Sequence, residues 1–167
     1  DVCSSDLKSE IGSVVKVVAL IASIVGFFIG GLLISKFSMR NALIIGGLLV
    51  LFTNIGFGIF ALSEKHLAEL SLVVALDSLA AGIVGTVNVA FLTSLVSKRF
   101  VATQYALLTS FMMLPGKLLG GLSGLAADTL IQIFSLQLGW AVFFFGASLL
   151  ALPALLLIIF TKVLNDS

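Results

Sequence analysis

Polar and apolar residues in this chain are sorted into long blocks, without the alternation of a strand or the single apolar stripe of a soluble helix. Five apolar runs cover roughly residues 11–34, 41–62, 67–96, 101–127 and 139–161. Each reaches the roughly 20 residues that a helix needs to cross a hydrocarbon core. The third and fourth exceed it, which predicts tilt or projection beyond the membrane. Short polar connections at 35–40, 63–66 and 97–100 separate the first four. The segment 128–138 is longer and half apolar, which predicts a short interfacial helix, with Trp140 just after it as an aromatic anchor at the headgroups. The pattern predicts an all-α membrane protein with five transmembrane helices.

Composition agrees. Of 167 residues, 60% are hydrophobic and 10% charged, against about 25% charged in a soluble domain. Mean hydropathy is +1.27, and the bilayer is the natural solvent for such a surface. A net charge of +1 gives no footing for nucleic-acid binding. Cys3 and His66 are each the single residue of their type, so neither a disulfide nor a metal cluster is expected, and no cofactor is implied.

The first ten residues are polar and partly acidic, unlike a signal peptide. Residues 1–7 are expected to be a cloning or assembly scar that forms no element, and 8–167 to be part of a longer protein. Charge sets the orientation. Lys36, Arg40, Lys98, Arg99 and Lys162 fall on one side of the five spans. Lys8 and Lys65, with Asp6, Glu10, Glu64, Glu69 and Asp128, fall on the other. The basic side is expected to be cytoplasmic, with the N-terminus outside (periplasmic) and the C-terminus inside.

Glycine spacing suits a packed bundle. Gly26 and Gly30 stand four apart, as do Gly116, Gly120 and Gly124, a pattern that lets helix backbones approach closely in lipid. Pro115 beside Gly116 is a candidate kink in the fourth helix.

Lys16, Asp77 and Lys117 are charges inside apolar runs, each costing about 2.5–3.5 kcal/mol on insertion scales. Counted from the cytoplasmic ends at 1.5 Å per residue, they stand roughly 28, 30 and 26 Å up, in one slab. Two lysines and one aspartate leave a net positive site suited to an anion. Asp77 is either an ion-pair partner or a proton carrier, the first favoured because nearby ammonium groups stabilise its charged form. The alternative is a structural ion pair, with lysines snorkelling to the interface. Asn88 is eleven residues after Asp77 and about 20° round the helix, with Ala81 and Val84 between. Ser110 and Met113 share the Lys117 face, and Asn54 is the strongly polar residue of the second span. No pair of carboxylates and no nucleophile with an adjacent base appears in the spans, so an enzyme is not expected.

Residues 31–40 read GLLISKFSMR. This resembles the loop signature of the major facilitator superfamily, with Gly31, Lys36 and Arg40 matching, Ser35 in the acidic position and Ser38 in that of the second glycine. After Ser97, Lys98 and Arg99, residues 100–110 read FVATQYALLTS. With Ala102, Thr103, Gln104 and Tyr105 at its centre, this stretch strongly resembles the AmpG-like anhydromuropeptide permeases. Lys16, Asn54, Asp77, Lys117 and Gly139-Trp140 fit the same resemblance, which runs from Lys8 to Phe160. It implies spans eight to twelve of a transporter of about twelve, a partial C-terminal six-helix bundle. The seventh helix and the N-terminal half would be its partners, together with membrane lipid. It also implies import of N-acetylglucosaminyl-anhydromuramyl peptides across a bacterial inner membrane by proton symport, for peptidoglycan recycling. Lys16, Asn54, Asp77, Asn88 and Lys117 would then bind the anionic substrate or couple protons. Two positions depart from the family. The 128–138 loop looks longer, and Lys117 puts a point charge where arginine would clamp a carboxylate. Another bulky anion such as acetyl-CoA, a non-transporting subunit and an inactive gene fragment are the alternatives.

Overall fold

A computed structural model describes residues 2–63, 67–96 and 100–160. They form five helices: α1 (Val2–Lys36), α2 (Met39–Leu62), α3 (Leu67–Leu95), α4 (Val101–Ile133) and α5 (Leu136–Phe160). All five are long and apolar enough to cross a membrane. Helices are the expected outcome, because lipid offers backbone N–H and C=O groups no partner and each span must bond internally. Lys65, Glu64, His66, Lys98, Arg99 and Lys162 lie outside the described residues.

Two boundaries differ from the sequence expectation. α1 begins at Val2, so residues 2–7 continue a helix where no element was expected. α4 runs on to Ile133, and the anticipated interfacial segment shrinks to a corner at Phe134 and Ser135. The apolar residues of 129–133 simply prolong the helix. The corner is sealed by Phe134 N–H on the Leu130 carbonyl (3.0 Å) and Gly139 N–H on the Ser135 carbonyl (2.8 Å). Ser135 also accepts the Leu138 N–H through Oγ (3.3 Å), as an N-cap does. Glycine is required at 139, where a Cβ would fall 2.7 Å from both N and Cα of Ile131.

α1 and α3 run parallel and nearly touch at the backbone. Gly26 sits on Leu79 and Gly82, and Gly30, one turn on, sits on Ile83 and Thr86. α2 lies antiparallel to α3, with Gly46 against Val84. Ala42, Ile83 and Val87 form the buried core where these helices meet. α5 packs antiparallel on α2, with Gly47 against Leu155 and Gly58 against Phe145. Phe57 stacks on Phe144 in the same seam, centroids 5.1 Å apart, and Trp140 continues the cluster onto Phe143 and Phe144. α4 leans on α5, touches α3 sparsely and passes through Pro115 as one helix.

The 31–40 motif forms the turn between α1 and α2. Lys36 closes α1, and Ala42 N–H bonds the Ser38 carbonyl (3.0 Å) at the start of α2. Arg40 reaches across to α5 and donates through Nη2 to the Ile159 carbonyl, placing a cation where the helix dipole is negative. Gly31 has open space around it.

Candidate functional site

Helix register places each predicted site residue. On α1 and α3, Gly26 pairs with 79–82 and Gly30 with 83–86, so Lys16 is level with about residue 71. That sets Lys16 about six residues, roughly 9 Å, from Asp77 toward the start of α3. Tracing α4 through the Gly139–Ile131 contact to α5, and then through α2 to α3, sets Lys117 near the level of Ala81. It is roughly 6 Å from Asp77 toward the end of α3. The shared slab is therefore a staircase of about 15 Å. Counting from helix ends fails because α3 projects about a turn beyond α1 at the end of the bundle that holds the α1–α2 turn.

Nor does the expected ion pair form. Among the described residues, Asp77 has no hydrogen bond or ion pair to Lys16 or Lys117. Both lysines are exposed and Asp77 is half-buried. Asn88 shares the Asp77 face as expected, but eleven residues separate them, or about 16 Å, so they do not converge on one small ligand. That face is partly turned to α2, where Val84 meets Gly46.

What stands level with Asp77 on α2 is polar rather than cationic. Seven residues from Gly46 along α2 is Thr53, opposite the residue seven before Val84, which is Asp77. Thr53 donates to the Val50 carbonyl (3.1 Å), and Asn54 donates to the same carbonyl through Nδ2 (2.9 Å). By the α2–α5 register, Asn54 is level with Ser148, whose hydroxyl donates to the Phe145 carbonyl (2.8 Å). Thr53 and Ser148 are the buried polar side chains among the described residues. Sequence reading passed over both, because a lone hydroxyl in an apolar run is common. Only their meeting at the Asn54 level distinguishes them.

The family-motif stretch opens α4. Ala102 and Thr103 are exposed, Gln104 N–H bonds the Phe100 carbonyl (3.0 Å), and Tyr105 is half-buried, its carbonyl accepting from Thr109 (2.7 Å). A groove of about 590 Å³ between α4 and α5 is lined by Leu119, Gly120, Leu122, Phe143, Ala147 and their neighbours. Its apolar walls suit a helix or acyl chain better than an anion.

No protein-family model matches the chain. It is 31% identical to the anhydromuropeptide permease of Escherichia coli K12 over 150 residues, 90% of this chain and 29% of the permease. The chain resembles the AmpG permeases over nearly its whole length. It is also 31% identical to putative transporter AmpG 3 of Rickettsia prowazekii over 135 residues, 81% of this chain and 30% of that protein. With putative transporter AmpG 4 of Rickettsia conorii it shares 31% identity over 158 residues, 93% of this chain and 36% of that protein. The chain thus spans about a third of the length of the curated relatives it matches. It is a multi-pass membrane protein of AmpG-like sequence.

Proposed function

We propose that this chain is the C-terminal part of a bacterial inner-membrane permease that imports anionic cell-wall muropeptides, N-acetylglucosaminyl-anhydromuramyl peptides, by proton symport. The similarity to the Escherichia coli anhydromuropeptide permease over 90% of the chain carries this reading. Five membrane-spanning helices support it. Two intramembrane lysines without an ion-pair partner in the described residues agree with an anionic cargo. Lys16 and Lys117 meet its carboxylates at two heights, which suits an elongated ligand better than a compact one. Asp77, Asn54 and Asn88 supply the polar wall between and below them. The remainder of the pathway comes from the portion of the relatives that this chain does not cover, since transporter sites form between two bundles. The basic loops face the cytoplasm, and the start of α1 faces the periplasm.

The test is uptake of labelled anhydromuropeptide by cells that lack their own permease and express the full-length protein. Lys117→Ala lowers uptake at least about tenfold, equivalent to about 1.4 kcal/mol, while membrane insertion stays normal and Lys117→Arg retains transport. Unchanged uptake in Lys117→Ala removes that residue from the pathway. Wild-type protein that inserts yet accumulates no muropeptide defeats the reading as a whole.

A further inference from the structure

The helix pair α1–α2 recurs in the chain as α4–α5. From the end of α1 at Lys36 to the end of α4 at Ile133 is 97 residues, and so is the step from Met39 to Leu136, where α2 and α5 begin. The contacts repeat at the same shift. Moved by it, the pair Gly58–Phe145 becomes Leu155 against residue 48, and the observed partner of Leu155 is Gly47. The pair Gly139–Ile131 becomes Ala42–Ile34, and Ile34 packs on the core cluster that holds Ala42. The two copies run in opposite directions, since α2 and α5 are antiparallel where they meet.

One helix lacks its copy. α3 packs on both α1 and α2, and among the described residues no helix stands in that relation to α4 and α5. The place is open, and it is the groove of about 590 Å³ between them. Its walls include Gly120, Ser123, Ala126 and Leu130 of α4, with Phe143 and Gly146 of α5. The corresponding residues of α1 and α2 are Ser23, Gly26, Ile29, Leu33, Gly46 and Leu49. These hold α3. Ser23 and Gly26 meet Gly82, and Gly46 meets Val84. Ile29, Leu33 and Leu49 pack on the cluster of Ala42, Ile83 and Val87. The groove is therefore the second copy of a helix seat, and its small residues let a backbone come close in lipid.

We infer that the groove seats a further apolar helix of the full-length protein, parallel to α4 and antiparallel to α5, as α3 is to α1 and α2. By the same shift, that helix precedes α1 in the sequence. The relatives are about three times the length of the matched region, so such a span is available. A second copy of this chain fits less well, because its α3 is already held by its own α1 and α2. The wall also specifies the occupant. Gly46 is replaced by Phe143 and Leu49 by Gly146, so bulk and space change places. α3 offers Val84 to Gly46 and has Ala81 level with Leu49. The occupant needs the reverse: a small residue facing Phe143, and a large apolar one about a turn away facing Gly146.

Disulfide cross-linking in membranes tests this on the full-length protein, in a cysteine-free background. Ser123→Cys is combined with single cysteines scanned along the span ahead of α1, and a protease site in the α1–α2 turn separates the two partners after oxidation. Ser123→Cys should join that span at positions three or four residues apart, within one molecule, and leave the fragments linked after cleavage. Leu125→Cys, on the far face of α4, should not. Ser123→Leu should lower the melting temperature by about 2–8 °C through overpacking, and Leu125→Phe should leave it level. Links confined to a different span, links only between two molecules, or no link at all overturn the inference. No muropeptide enters the measurement, so an error about the cargo leaves this result intact.

Discussion

Two glycine stripes in this chain share one four-residue spacing and meet opposite surroundings. In α1, Gly26 and Gly30 are pressed against the backbone of α3, where Gly82 answers them. In α4, a Cβ added at Gly116, Gly120 or Gly124 would meet nothing within 4 Å. Spacing creates a smooth strip along a helix, but a strip has value in lipid only when another backbone lies in it. The first stripe is therefore a working joint of this chain. The second is an open strip, with Gly120 in the wall of the α4–α5 groove and no backbone seated in it.

The largest effect is expected at the joint. A Cβ at Gly82 would stand 3.1 Å from the Cα of Gly26 and closer still to the Ser23 carbonyl oxygen. Neither atom belongs to a side chain that can turn aside. Gly82→Ala should cost about 1–3 kcal/mol, the range for overpacking, read as a lower melting temperature in detergent. Gly26→Ala should cost a similar amount. The double variant should cost less than the sum, because one separation of α1 from α3 relieves both clashes. Full additivity would show that the two glycines do not share a contact.

Gly139→Ala comes next. It meets Ile131 backbone at 2.7 Å, but α4 is held mainly by α5, so the corner can open with less collateral loss. A cost of about 1–2 kcal/mol is expected, together with faster proteolysis at Phe134–Ser135 than elsewhere in the chain. Arg40→Gln follows, removing a charge-assisted bond to the Ile159 carbonyl. About 1 kcal/mol is expected, with fraying confined to the end of α5 in hydrogen exchange.

The same contrast explains what could be read from the sequence. Five spans were legible because each apolar run alone meets the length a bilayer demands. The end of α4 was not, since the apolar residues after Asp128 fit an interfacial segment as well as a longer helix, and Gly139 settles the matter only by packing on Ile131. Lys16, Asp77 and Lys117 were visible as misplaced charges. Their heights were not, because counting from loops assumes that helix ends are level. The level shared by Thr53, Asn54, Asp77 and Ser148 was hidden for a related reason. Its members lie in three separate runs, and only the Gly46–Val84 and Gly47–Leu155 contacts bring them to one height.

The smallest expected effect is the sharpest test of the comparison. Gly120→Ala adds a methyl group where the chain has open space, so no clash opposes it. Alanine is also the better helix former by about 1 kcal/mol in water, an advantage that shrinks in lipid, where the helix backbone is already fully committed. In the 167-residue chain the melting temperature should stay level or rise slightly. The same substitution in the full-length protein then reports on what lies in the second stripe. A neutral result there leaves the α4 glycines facing lipid or the pathway. A loss of about 1–3 kcal/mol, matching Gly82→Ala, means that a helix from the rest of the protein fills the strip as α3 fills that of α1. A marked loss in the 167-residue chain itself would erase the distinction between the stripes, because it would require a neighbour for Gly120 within this bundle.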